Sequence, residues 1–175
     1  MVNNQQVPQM PTTQDVENLD LPGLMRRAIA LAQSARSKGN HPFGALLCDL
    51  NGTIVLEAEN TVGEHHDVTC HAEQNLISTA SRTFGPDELG RLVMVTSTEP
   101  CAMCAGATVW TGVRAVVYGL PETALVDMCT SADNPTPPVL NLRCTTVFGS
   151  CPGHPTTVIG PILEDEAREP HAGFW

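Results

Sequence analysis

Positive charge is what this sequence has least of. Its 175 residues hold 9 Lys+Arg against 19 Asp+Glu, Lys38 is the only lysine, and the formal net charge is -10 at pH 7. Gripping a phosphate backbone relies on clustered cations. The few here are scattered, which argues against a nucleic-acid partner and for small neutral or cationic ligands. Long apolar runs are also missing: none approaches the roughly 20 residues of a membrane helix, so no membrane partner is expected. The opening, Met1-Val2-Asn3-Asn4-Gln5-Gln6-Val7-Pro8, has neither the basic start nor the apolar stretch of a secretory signal. A cytoplasmic location is therefore expected. Aromatics are few, with four Phe, two Trp and one Tyr.

Hydrophobic residues make up 42% of the chain, as in an ordinary globular protein. A chain of this length suits one domain with a full core. Seven cysteines cannot all pair with one another. In a cytoplasmic chain of this size, metal binding or catalysis is the expected use of cysteine rather than bridging.

Residues 1–18 are polar, with Pro8 and Pro11, and read as a mobile arm. A helix follows, capped by Asp20 with Pro22 in its first turn and ended by Gly39-Asn40. Residues 43–50 and 53–59 are β-prone runs joined by Asn51-Gly52, a strong hairpin signal. Residues 60–69 read as a polar loop, 71–82 as a helix, 91–96 as a strand covered on both faces, 101–110 as a helix and 115–118 as a strand. Residues 134–138 form a Pro-rich loop, 145–148 and 157–159 are further strand candidates, and 162–175 read as a terminal helix or tail. A hairpin followed by alternating helices and strands predicts a three-layer α/β/α sandwich with a largely parallel second half.

Two segments carry chemistry: Cys70-His71-Ala72-Glu73 and Glu99-Pro100-Cys101-Ala102-Met103-Cys104. Each opens a predicted helix. Cys101 and Cys104 are three apart and share a helix face, where the helix N-terminus favours the thiolate that binds metal. With His71 from the other helix they make a His-Cys-Cys set that leaves a fourth place for water, a catalytic zinc arrangement. Glu73 is the wrong type for a soft zinc shell and the right type to move protons beside it. H-x-E with P-C-x-x-C is the signature of zinc nucleobase deaminases. A purely structural zinc site would need a fourth protein ligand, for which Cys70, His65, His66, Cys129, Cys144 and Cys151 are available. That alternative leaves Glu73 without a job.

Asn40-His41-Pro42-Phe43-Gly44-Ala45, the isolated Asn60, His71-Ala72-Glu73 and Thr98-Glu99-Pro100-Cys101-Ala102-Met103-Cys104 together resemble the cytidine deaminase superfamily. Within it they resemble the branch of guanine deaminases, cytosine deaminases and tRNA adenosine deaminases. The likeness spans about residues 22–120. It implies a cytidine-deaminase-like fold with a mixed five-stranded sheet, a deaminase domain over 19–160 and a tail over 161–175 that covers the active site. It implies one Zn2+ per chain on His71, Cys101 and Cys104, with Glu73 as the catalytic proton carrier. The zinc acidifies a water that adds to the ring carbon bearing the amine, and ammonia leaves.

The same resemblance implies substrate contacts from the Ala72 backbone N–H, Asn60, Phe43, Trp110, Asp133 and Trp175. Asn60 is alternatively a turn residue, Trp110 a core residue, and Asp127 a rival to Asp133. The tail aromatics Phe174 and Trp175 either close the pocket or dock on the core. Relatives are dimers or tetramers, so a homodimer is expected. The leading function is hydrolytic deamination of a free heterocyclic base: guanine-like, cytosine or an amino-triazine. A tRNA adenosine or nucleoside deaminase and a non-catalytic zinc-stabilised interaction module stand as alternatives.

Overall fold

The computed structural model describes residues 10–130, 138 and 140–175. In chain order these form α1 (Thr13–Glu17), α2 (Leu21–Ser37), β1 (Gly44–Cys48), β2 (Ile54–Glu59), α3 (Val62–His65), α4 (Ala72–Thr83) and α5 (Pro86–Leu89). They continue as β3 (Val93–Thr98), α6 (Ala102–Thr111), β4 (Ala115–Leu120), α7 (Glu122–Thr130), α8 (Cys144–Gly149), β5 (Thr157–Ile159), α9 (Glu164–Arg168) and a 3-10 turn, Glu169–His171.

The apolar runs of β1, β3 and β4 are buried along their whole length because both sheet faces are covered. Side chains alternate across a strand. Ala45, Leu47, Met94 and Val116 thus meet α4, α5, α6 and α8, while Leu46, Cys48, Val93, Val95, Ala115 and Val117 meet α1 and α2. Each fully buried leucine or valine of these strands contributes roughly 1.5–3 kcal/mol. The sheet order is β2-β1-β3-β4-β5, antiparallel for β2-β1-β3 and parallel for β3-β4-β5. This is the three-layer sandwich with the mixed five-stranded sheet that the sequence predicts.

The hairpin forms, but through three loop residues rather than two. Gly52 N–H donates to the Asp49 carbonyl at 3.0 Å, Gly52 takes a left-handed φ of 81°, and the Asp49 carboxylate accepts from Asn51 and Thr53 N–H. α2 begins where expected, with the Asp20 carboxylate accepting from Gly23 N–H at 3.1 Å.

Four local expectations change. The polar arm is helical from Thr13, because Thr12 and Asp15 form a reciprocal capping box and Val16 is fully buried against the sheet. The loop after β2 contains α3. The run expected as a strand over 145–148 is α8, with Cys144 and Phe148 packed four apart into the core. The stretches after Gly85 and Pro121 carry α5 and α7, which the sequence reading does not include.

Candidate active site

The site lies at the carboxyl ends of the parallel strands β3 and β4, where ligands bind in α/β sheets. His71 and Cys101 are the N-cap residues of α4 and α6, and neither side chain makes a capping hydrogen bond. Each offers a ligand atom to the same point. The helix N-termini at the same point favour negative charge, including thiolate. Cys104, in the first turn of α6, shares that face. Gln74 Nε2 donates to the Met103 carbonyl at 3.4 Å, tying the two helices together.

One ligand atom from each of His71, Cys101 and Cys104 lies within 4.8 Å of the others, and no fourth His, Cys, Asp or Glu joins the group among the described residues. His71 Nδ1 is 3.7 Å from Cys101 Sγ and 3.6 Å from Cys104 Sγ. A tetrahedral zinc with ordinary Zn–S and Zn–N bonds holds its sulfur and nitrogen ligands about 3.5 Å apart. The donor set and its spacing therefore fit zinc with one place open. Cys70, Cys129, Cys144 and Cys151 stand outside the group, which removes the four-ligand structural site. Hydrogen bonding from the Cys104 thiol, then from His71, pulls Cys101 down to about 4, in the direction of the thiolate that binds metal. The same bond and burial push Cys104 up, and metal displaces its proton. The Cys101 hydrogen bond in turn raises His71.

Glu73 is buried, with Oε2 3.7 Å from Cys104 Sγ and Oε1 accepting from Thr96 Oγ1 at 3.4 Å. Burial first, then the Cys101 charge, pushes its carboxyl up to about 7. That value suits a group that must take and give protons near neutrality.

His71, Glu73 and Cys101 open into a cavity of about 380 Å3 whose wall includes Phe43, Val62, Met103 and Trp175. Phe43 stacks on His71 at 6.4 Å between ring centroids. Asn60 is fully buried and is held to Val62, a residue of this wall. Its Oδ1 accepts from Val62 N–H at 3.1 Å, which leaves Nδ2 as a donor with no hydrogen-bond partner. Ala72 is fully buried at the first position of α4, where an N–H lacks an intrahelical partner.

Trp110 is not brought to the site. Six residues at about 100° each turn it roughly 120° away from Cys104 around α6, and it is 91% exposed, in neither the cavity nor the core. Asp133 lies outside the described residues, and its rival Asp127 is exposed on α7.

Several wall residues go beyond the sequence reading. Glu99 is a buried carboxylate that accepts from Arg143 Nε at 2.8 Å, Cys144 N–H at 3.0 Å and Glu122 N–H at 3.0 Å. Burial works to raise its pKa, but these donors prevail and hold it low. It thereby fixes the starts of α7 and α8 together. Glu122 also faces the cavity; burial, then the charges of Cys101, Glu99 and Glu73, push it up to about 8.

His171 links the tail to the wall. An indole N–H can only donate, so Trp175 Nε1 gives its hydrogen to His171 Nδ1 at 3.2 Å. The His171 proton must then sit on Nε2, which donates to Thr98 Oγ1 at 3.3 Å. The Thr98 hydroxyl hydrogen is left for the cavity that Thr98 lines. Burial, then the charges of Arg36 and Arg168, lowers His171 to about 4. Unfolded histidine protonates near 6.5. Between these values the unfolded chain binds the extra proton, so stability falls as pH drops from about 6.5 to 4, by up to about 3 kcal/mol. A protonated His171 can no longer accept from Trp175. In a Trp110→Phe background, Trp175 fluorescence is therefore expected to shift to the red with a midpoint near pH 4. His171→Gln, which accepts and donates without titrating, should remove that transition.

The comparisons agree with this geometry. The sequence profile of the cytidine and deoxycytidylate deaminase zinc-binding region matches residues 20–120. A protein of Schizosaccharomyces pombe named probable cytosine deaminase is 39% identical over 151 residues, 86% of this chain and 90% of that one. Guanine deaminase of Bacillus subtilis is 37% identical over 100 residues, 57% of this chain and 64% of that one. Among solved structures, a guanine deaminase from Nitrosomonas europaea superimposes with a TM-score of 0.69 at 22% identity, over 98% of each chain, which establishes the shared fold. With a profile match that contains the whole His-Cys-Cys group and Glu73, the chain belongs to the cytidine and deoxycytidylate deaminase family.

Proposed function

We propose that this protein is a zinc-dependent hydrolytic deaminase of a free amino-substituted heterocyclic base (guanine-like, cytosine or amino-triazine), releasing ammonia. The observation that carries this is a buried carboxyl, Glu73, set beside a three-ligand metal group in a largely apolar cavity with room for one heterocycle. His71, Cys101 and Cys104 would hold a zinc ion, which would supply the Lewis acidity that activates a water for attack. Glu73 takes the two protons of the attacking water in turn, delivering the first to the ring nitrogen and the second to the departing amine. The free Nδ2 of Asn60 and the Ala72 N–H donate to acceptors on the ring edge. Phe43 and Trp175 provide apolar faces for a planar ligand.

No Lys or Arg stands among the described residues that line the cavity, and the net charge is -10. Both favour a free base over a tRNA substrate. Ammonia release measured across guanine, cytosine, amino-triazines, adenosine and cytidine tests the reading; release from nucleosides or tRNA alone would overturn it. Purified protein should carry about one zinc per chain. Cys101→Ala and Cys104→Ala should each lose both zinc and activity. Full zinc retention in either variant, measured by elemental analysis, would remove the site as drawn.

A further inference from the structure

Glu122 has no part in the chemistry above, yet its carboxyl is one of the polar groups that face the cavity. The residue is 2% exposed. It is the first residue of α7, directly after Pro121 at the carboxyl end of β4, and its backbone N–H is held by Glu99 Oε2 at 3.0 Å. That bond fixes the root of the side chain. No hydrogen bond or ion pair reaches its carboxyl from any described residue. Glu99 differs sharply, with its two oxygens occupied by three donors. Glu122 also stands apart from the His71, Cys101 and Cys104 group, so it is not a metal ligand.

A carboxyl that faces a cavity without a protein partner meets only water there, and a ligand that displaces the water must bring a donor of its own or leave the carboxyl unpaired. The ligand edge near Glu73 is committed to the reacting amine and ring nitrogen. What remains to meet a second acceptor is a ring N–H elsewhere on the heterocycle. A free pyrimidine or purine base has one at the nitrogen that carries the sugar in a nucleoside. We infer that Glu122 is a specificity residue that accepts a hydrogen bond from that ring N–H, so that the site selects free bases over their N-substituted forms. The inference rests on the free-base reading and narrows it. It adds a residue that senses the substituent on the ring, where Asn60 and Ala72 sense acceptors.

The test is a cycle between enzyme and substrate. Steady-state kcat/KM is measured for cytosine against 1-methylcytosine and guanine against 9-methylguanine, with zinc-loaded wild type, Glu122→Leu and Glu122→Gln. Wild type should lose about 100-fold on methylation of its preferred base, through the lost hydrogen bond and the acceptor that the methyl group leaves unpaired. Glu122→Leu should lose about 100-fold on the free base and retain only a few-fold methyl penalty. Glu122→Gln keeps an acceptor oxygen and should recover to within about tenfold of wild type with most of the penalty restored. Should Glu122→Leu fail to fold, Glu122→Met, similar in length and without an acceptor oxygen, carries the test: unchanged kcat/KM with an unchanged methyl penalty overturns the role. An equal methyl penalty in wild type and Glu122→Leu overturns the Glu122 assignment alone. Failure of wild type to release ammonia from any free base overturns the substrate reading and this inference with it.

Discussion

Glu73→Ala is expected to lower kcat by about 10^3- to 10^4-fold or more while leaving zinc content and the melting temperature close to those of the parent protein. General acid–base assistance alone is worth about 10^2- to 10^4-fold, and Glu73 is asked to serve on both sides of the reaction. The fold should tolerate the change. Among the described residues, the other side chains that hold the Glu73 oxygens are Thr96 Oγ1 at 3.4 Å and Cys104 Sγ at 3.7 Å, both long bonds. Its removal from a buried place also relieves a carboxyl that burial already pushes toward the neutral form. Zinc should stay, because His71, Cys101 and Cys104 form the metal group without it. Single-turnover ammonia release with matched zinc analysis checks the claim. Near-parental turnover would sink the proton-carrier role. Loss of zinc would instead recast Glu73 as a support for the metal group.

The parts of this site that could be read from sequence are those set by short-range geometry. Cys101 and Cys104 are three apart at the start of one helix, so spacing alone brings that pair to one face. His71 and Glu73 are only two apart at the start of another, and their shared place was legible through the motif rather than through helix periodicity. Trp110 shows the limit of that logic, since belonging to the right helix does not place a residue on the right side of it. The misread of α8 has a longer-range cause. Thr145-Thr146-Val147-Phe148 is a β-prone run by composition. What makes it helical is the Glu99 carboxylate, 45 residues upstream, which accepts from Cys144 N–H and Arg143. Glu122 and His171 were hidden for the same reason. Nothing adjacent in sequence marks them, and each acquires its meaning from groups that the topology delivers. His171 meets Thr98 from 73 residues away.

Removing residues 171–175 is expected to cost turnover by about 100-fold or more, and the loss should persist at low temperature. The sequence posed two exclusive roles for this tail, a pocket cover or a dock on the core. The structure gives it features of both. Trp175 lines the cavity and also packs against the Leu120, Leu125 and Ala167 cluster. It sits 6.1 Å from Phe43 and 5.6 Å from His41 between ring centroids, in an aromatic group completed by His171 and Phe174. The segment is tethered from outside the cavity. Arg36 Nη1 donates to the Pro170 and Ala172 carbonyls at 2.7 and 2.9 Å, and Arg26 holds Glu166 through two bonds of 2.9 and 3.0 Å. Gly119 lets α9 lie close, since a Cβ there would come within 2.8 Å of the Ala167 Cβ.

Truncation should therefore lower the melting temperature as well, by about 5 °C for the roughly 2 kcal/mol of aromatic burial that is lost. The stability change cannot by itself explain a large loss of activity at 15 °C, where the shortened chain remains folded. Opening the wall beside the His71, Cys101 and Cys104 group admits water and weakens every electrostatic interaction that Glu73 relies on. Arg36→Ala separates the two effects, because it loosens the tether while removing nothing from the cavity wall. It should give a smaller drop in kcat/KM, expressed mainly in KM. A truncated chain that deaminates at the parental rate in the cold would show that the aromatic cluster serves packing alone.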